Sequence, residues 1–431
     1  MKADLIIHNA GQLLTCASNG KPKRLAEMRD VGLIENGAVA VIAGKIAAVG
    51  KSGEILREFK SENTFDAGER VVSPGFVECH THIVFAGNRL NEFELKIKGA
   101  DYMEILASGG GIISTVRQTR AAGLPDLIEQ SRRRLDKMLA LGVTTAEIKT
   151  GYGLDLETEF KMLEAILELD RFHPVELLPT FLAAHAVPPE FKEQADEYVD
   201  LICREMLPQL RDFREYVYID VDRINFEYTR SKPFFVDVFC ERNAFNLEQS
   251  RKVLETAKSL GFKLKAHVDE FTNLGGARMA IELGATSVDH LDAISGEEIA
   301  LLGRSETVGV VTPTVNFNFG AKEFADARKF IDTGCAVALS TDYNPGSAPC
   351  PSLPNAMAIA CRYQKLLPAE AFNAATINAA YAVALGEKTG SLETGKQADI
   401  LIFDTKDFRE ISYEFGGNCI HTVIKGGKFT K

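Results

Sequence analysis

Residues 71–84 read VVSPGFVECHTHIV, an apolar run that ends on two histidines spaced two apart. Side chains of an extended strand alternate between its faces, so His80 and His82 share one face while Cys79 and Thr81 take the other. Upstream, residues 1–70 hold short apolar runs separated by Gly and Asn turns (DLII at 4–7, AVAVI at 38–42, KIAAV at 45–49), which predicts a β-rich segment. Downstream, apolar strands alternate with long amphipathic stretches. The opening strand precedes helices around 100–107 and over 124–141. TTAEIKT (144–150) leads into 156–172, VELLPTFLAAH (175–185) into 189–213, FFVDVF (234–239) into 247–260, and KLKAHVDE (263–270) into 274–283. TSVDHL (286–291) leads into 296–302, TVGVVTPTV (307–315) into 322–333, and CAVALSTDYN (335–344) into 353–366.

About eight strand–helix units in succession predict a closed (β/α)8 TIM-type barrel, and nearly uninterrupted apolar strands suit a parallel sheet covered by helices. A doubly wound open sheet is the alternative, but no GxGxxG follows an early strand. After a further helix over 368–385 the chain returns to the strand-like ADILIFD (398–404) and HTVIKG (421–426). Residues 1–70 and 386–431 are therefore expected to meet as one small composite β-sandwich beside a barrel over 71–385.

A length of 431 residues suits one large α/β domain with a satellite. Lys and Arg number 49 against 60 Asp and Glu, a net charge of −11. That acidic balance argues against nucleic acid or an anionic membrane as partner and favours a small-molecule substrate. The first apolar run is broken at His8 and Asn9, unlike a signal peptide, and no stretch approaches the ~18 apolar residues of a membrane span. The 8 cysteines lie scattered with no CxxC pair, which reads as free thiols in a reducing compartment, the cytoplasm.

Of the 8 histidines, five end predicted strands: His80, His82, His185, His267 and His290; Asp342 ends the eighth. A single histidine at such a place is more often a satisfied core residue, but five on one rim are poorly explained that way. The C-terminal rim is where barrels carry their active sites. Three imidazoles and a carboxylate suit zinc or iron with an open position for water, which gives His80, His82, His267 and Asp342 as ligands and His290 as the residue holding the water. His8, His173 and His421 match no rim position. Cys79 faces away from the histidines, and GGG at 109–111 lacks the following Lys-Ser/Thr of a phosphate loop.

Three of these stretches, VVSPGFVECHTH, TDYNPGS and GSLETGKQADILIFD, resemble the amidohydrolase superfamily. FAGNRLNEFELKIKGADYMEIL (85–106), GGGIISTV (109–116), EIKTGYGLDLETEFKML (147–163), TFLAAHAVPPE (180–190) and LSTDYNPGSAPCPSLP (339–354) are similar to its imidazolonepropionase family. The similarity runs from the N-terminal strands to the C-terminus. It implies a hydrolase that converts 4-imidazolone-5-propanoate to N-formimidoyl-L-glutamate in histidine degradation, and a homodimer. His80, His82, His267 and Asp342 match the family's metal ligands, and Arg89 matches its substrate-binding residue, whose guanidinium fork suits a carboxylate. Tyr152 and His185 match substrate contacts, Glu270 the residue beside the imidazolone ring, and Asn344, Gly346 and Ser347 the loop that holds the product. Binuclear relatives use a bridging lysine on the fourth strand; FFVDVF has none, so one metal per chain is expected. In the implied mechanism the metal activates a water, Asp342 or His290 takes its proton, and Glu270 passes one to the departing nitrogen. Departures from the family pattern are HVDE, the TPTVNFNFG stretch after the seventh strand, and the polar segment 216–233. A nucleobase deaminase and a metal-free scaffold are the rival readings; Arg89, GYGLDLET and DYNPGS argue against the first, the complete ligand set against the second.

Overall fold

Residues 71–84 do not form one strand. Val71–Pro74 and Phe76–Glu78 are separate strands in different sheets. Val71–Pro74 pairs with Leu5–Leu14 and Ile400–Phe403, whereas Phe76–Glu78 pairs in parallel with Val143–Lys149. The division falls at Pro74-Gly75, because proline cannot donate to a ladder and glycine allows a close approach. A Cβ on Gly75 would lie 2.2 Å from Thr144 Oγ1 of the neighbouring strand. This computed structural model describes residues 1–99, 110–219 and 232–430. The helix expected over 100–107 lies outside them, as do residues 220–231 of the polar segment.

The barrel strands are Phe76–Glu78, Val143–Lys149, Glu176–Ala184, Phe235–Cys240, Lys263–Val268, Ser287–His290, Val308–Val311 and Val337–Leu339, each paired in parallel with the next. The ring closes between first and eighth. Thr81 bridges Tyr343 in parallel, His82 N–H donates to Tyr343 O at 2.9 Å, and Ser340 Oγ donates to His80 O at 2.9 Å. Amphipathic helices cover the outside. Asp155 caps Leu156–Phe172 through Thr158 N–H, and capping boxes start Leu247–Ser259 (Asn246 with Gln249) and Gly296–Leu302 (Ser295 with Glu298).

The single helix expected over 189–213 is instead a 3-10 turn at Pro189–Phe191, a helix Ala195–Leu201, a π turn Ile202–Met206 and a helix Leu207–Ile219. Pro208 has no N–H to give the carbonyl four residues before it, and the turn widens just ahead of it. The stretch expected as a helix over 322–333 yields only Ala327–Asp332, and the preceding helix, Pro313–Phe319, begins inside the stretch 307–315 that the sequence read as strand.

The chain ends meet in a separate mixed sheet of eight strands that adds Leu33–Ile42, Lys45–Lys51, Thr64–Asp66, Ile420–Lys425 and Lys428–Phe429 to those named above. It has its own apolar core, including Ile7, Val39, Val72, Ile400 and Ile424. Charge ties it to the barrel. Lys425 Nζ sits 2.8 Å from Asp399 and 3.5 Å from Glu176, the residue that opens the third barrel strand, and Lys388 Nζ is 2.7 Å from the same carboxylate. Burial pushes the Glu176 carboxyl up, but the ammoniums of Lys425, Lys232 and Lys388 outweigh it and hold the group well below the usual range. A carboxylate depressed on folding stabilises the protein above its unfolded pKa, and that contribution is lost as pH falls. Glu176→Gln should therefore lose about 3 kcal/mol in denaturant unfolding at pH 7, since it leaves buried ammoniums short of their partner. The gap to wild type should narrow below about pH 4.3, where the unfolded carboxyl takes its proton. An equal gap at pH 7 and pH 3 would contradict this account.

Candidate metal centre and substrate chamber

Five histidines from four strand ends, His80 and His82 sharing the first, converge with Asp342. His80 and His267 have ring centroids 4.4 Å apart, His290 lies 5.1 Å from His80 and 5.2 Å from His267, and His185 stacks on His82 at 4.9 Å. The chain turns sharply to deliver two of these groups: His290 (φ 82°) and Asp342 (φ 50°) occupy the left-handed region, a conformation that costs about 1–3 kcal/mol and collects at functional sites.

The spacing of the donor atoms fits a cation. His80 Nε2 and His82 Nε2 stand 3.4 and 3.5 Å from Asp342 Oδ1, and His82 Nε2 stands 3.3 Å from His267 Nε2. Four ligands at about 2.0–2.1 Å in a tetrahedron are separated by about 3.3–3.4 Å along its edges. His80 Nε2, His290 Nε2 and Asp342 Oδ1 are buried with no hydrogen-bond partner, an arrangement that disfavours folding unless something else is bound. Among the described residues, the donor atoms fall into two overlapping triads, His80–His82–Asp342 and His80–His267–His290, each within 4.8 Å. Burial, with the neighbouring imidazoles and the Lys149 ammonium, holds His80, His82 and His290 well below the usual histidine pKa; burial brings His185 down to about 3. Neutral imidazoles are the metal-ligating form. Burial also pushes the Asp342 carboxyl up, a penalty that a cation alongside would offset.

Carboxylates and a hydroxyl stand behind the rings. Asp289 Oδ2 accepts from His80 Nδ1 at 2.7 Å, which leaves Nε2 as the lone-pair nitrogen. Asp237 Oδ2 is 3.1 Å from His267 Nδ1, although outside good hydrogen-bond angles. Thr312 Oγ1 is 3.1 Å from His290 Nδ1.

Above the cluster opens a cavity of about 920 Å³ lined by every residue the sequence assigned to substrate: Arg89, Tyr152, His185, Glu270, Asn344, Gly346 and Ser347. Arg89 is not a bare cation. Its Nε and Nη2 donate to Glu92 at 2.8 and 2.5 Å, so only Nη1 is left toward the 344–347 loop. A Cβ on Gly346 would come within 2.0 Å of that nitrogen, so the guanidinium needs glycine there. Asn344 shapes the loop. Its Oδ1 accepts from Gly346 N and Ser347 N at 2.8 Å, and its Nδ2 donates to Asp342 O at 2.7 Å. The turn carrying Tyr152 is clamped by Glu159, which accepts from Gly151, Gly153 and Leu154 N–H groups. Glu270 Oε1 lies 4.0 Å from His290 Nδ1. Burial, then the Asp342, Asp292 and Glu241 carboxylates, push the Glu270 carboxyl well up, which favours the proton-donating form. The TPTVNFNFG stretch supplies Phe317 and Phe319, exposed at the mouth beside Phe271.

The sequence reading did not single out Glu92, Glu147, Lys149, Glu159, Asp237, Asp289 or Thr312. A usable signal existed for Glu147, Lys149, Asp237 and Asp289: charges within otherwise apolar strands (TTAEIKT, FFVDVF, SVDH) must find partners once those strands are buried.

The amidohydrolase family profile matches residues 241–430. An imidazolonepropionase from Chloroflexus aggregans is 52% identical over 425 residues, 99% of this chain and 98% of that protein. One from Herpetosiphon aurantiacus is 48% identical over 100% of this chain and 97% of its own length. Among solved structures, an adenosine deaminase from Xanthomonas campestris with bound zinc superposes with a TM-score of 0.68 at 19% identity, covering 99% of this chain and 93% of that one. Guanine deaminase from E. coli gives 0.67 at 16%, covering 99% and 98%. At such identities the two structures speak for the fold alone. The chain belongs to the imidazolonepropionase family of amidohydrolases.

Proposed function

We propose that His80, His82, His267 and Asp342 hold one divalent cation, zinc or iron, and that the chain uses it to hydrolyse the ring C–N bond of 4-imidazolone-5-propanoate, giving N-formimidoyl-L-glutamate in histidine degradation. The observation that carries this reading is the set of donor spacings of 3.3–3.5 Å among buried atoms, opening into a chamber lined by Arg89, its partner Glu92, and Glu270. A cation held there would supply Lewis acidity and lower the pKa of a water toward neutrality. The residues do the rest. His290, neutral and directed at the cluster, holds the attacking water, whose proton passes to Asp342 or His290. Glu270 donates a proton to the ring nitrogen as the C–N bond breaks, so water is added across that bond and nothing else is consumed.

Arg89 Nη1 and the 344–347 loop receive the propanoate carboxylate, and Tyr152 and His185 flank the ring. Arg89→Ala should raise KM about 10–100-fold with a smaller change in kcat, the value of a charged hydrogen bond, and should abolish discrimination against a substrate without the carboxylate. Unchanged KM would remove Arg89 from this role. The eight cysteines are all unpaired, which supports a reducing compartment, the cytoplasm, as the place of action. Among the described residues no helix is long and apolar enough to cross a membrane. A homodimer rests on the resemblance alone, and sedimentation velocity reads it. The decisive experiment follows consumption of 4-imidazolone-5-propanoate by purified protein, with and without chelator, alongside metal analysis. No turnover, or turnover indifferent to chelation, would sink the proposal, and two equivalents of metal per chain would overturn the single site.

A further inference from the structure

Lys149 ends the second barrel strand and is fully buried. Its Nζ lies 2.7 Å from Glu147, 2.8 Å from Asp237 and 3.8 Å from Asp289. These carboxylates come from the second, fourth and sixth strands, which are not neighbours in the sheet, so the contacts cross the barrel interior. Two of the three lead on to the metal cluster: Asp289 Oδ2 accepts from His80 Nδ1 at 2.7 Å, and Asp237 Oδ2 is shared between Lys149 and His267 Nδ1 at 3.1 Å. Asp237 Oδ1 is tied down separately by Val238 N–H and His267 N–H.

We propose that Lys149 is a positioning residue for the metal centre: its buried ammonium holds Asp237 and Asp289 against His267 and His80, and so aims both Nε2 lone pairs at the cation. Three carboxylates gathered in a dry interior repel one another unless a cation stands between them. Lys265 is the other ammonium in reach, 3.6 Å from Asp289, and it donates to Ser287 Oγ at 2.6 Å on the side away from Asp237. No other described ammonium or guanidinium forms an ion pair with Asp237. Burial alone would lower the Lys149 pKa, but the three carboxylates more than reverse this and raise it well above the ordinary lysine value. Lys149 thus stays charged. It is also saturated by anions and takes no direct place in the chamber, whose lining does not include it.

The inference rests on the metal-centre reading, and its test separates the two. Lys149→Met keeps the length of the side chain and removes the charge. Its metal affinity, measured by chelator competition, should fall by about 10–100-fold, the usual effect of losing an outer-shell partner. The d–d spectrum of the cobalt-substituted variant should shift, and at saturating metal kcat should drop with KM for substrate within about twofold, since Lys149 does not touch the chamber. A purely structural lysine would lower Tm without moving the metal affinity or the cobalt spectrum; that result overturns the proposal. Should Lys149→Met fail to fold, Asp289→Asn reads the same link from its other end, with the same loss of affinity expected and unchanged affinity fatal. Wild-type protein that takes up no metal would instead remove the reading beneath.

Discussion

Asp342→Ala should leave a folded protein that neither retains metal nor turns over substrate. In the proposed ligand set Asp342 contributes the one carboxylate, and its Oδ1 stands at 3.4 and 3.5 Å from two imidazole nitrogens. Without it three imidazoles would face the cation with no negative charge to balance it. The fold should survive. Alanine at φ 50° costs about 1–2 kcal/mol in the left-handed region, well within the roughly 5–15 kcal/mol of a native protein. The loss of Lewis-acid stabilisation, several kcal/mol, corresponds to a fall in kcat of at least about 10³-fold. Metal analysis after gel filtration, with a thermal melt as the folding control, checks both parts. A variant that keeps one equivalent of metal would show that Asp342 is not a ligand. His80→Ala should behave alike, and it additionally strands Asp289 without its imidazole.

Glu270→Gln is the second large effect, and it dissociates metal from chemistry. The side chain lines the chamber beside His290 without belonging to either donor triad. Glutamine fills the same space and can still hydrogen-bond the ring, but it cannot give up a proton. Metal content should therefore match wild type while kcat falls by about 10²–10⁴-fold, the usual contribution of a positioned general acid, with KM changed little. Wild-type kcat would remove Glu270 from the scheme. Loss of metal together with activity would place it among the ligands instead.

The rim residues were legible because strand periodicity is local information. An apolar run that ends in a histidine tells which face the imidazole takes and at which end it sits, so His80, His82, His267, His290 and Asp342 could be gathered before any coordinates. Arg89, Tyr152 and the 344–347 loop were carried by resemblance, and all line the chamber. What the sequence concealed was partnership. Nothing around Arg89 announces that Glu92 takes two of its nitrogens, and nothing in TTAEIKT says that Lys149 meets aspartates of the fourth and sixth strands. The split of residues 71–84 at Pro74-Gly75 was written in the chain, yet apolar periodicity runs through it unbroken and hid the change of sheet.

Order and chemistry along the chain, then, are properties of the sequence alone: the succession of strands and helices that makes a barrel, and the donor types that suit a borderline metal. Only the closed tertiary structure decides which donors meet and in what protonation state. His80 and Asp289 are 209 residues apart and lie at 2.7 Å because ladder hydrogen bonds close eight strands into a ring. The pKa values of His80, His82 and His290 are held down because that ring excludes water from around them, and desolvation belongs to a place in the fold, not to a residue type.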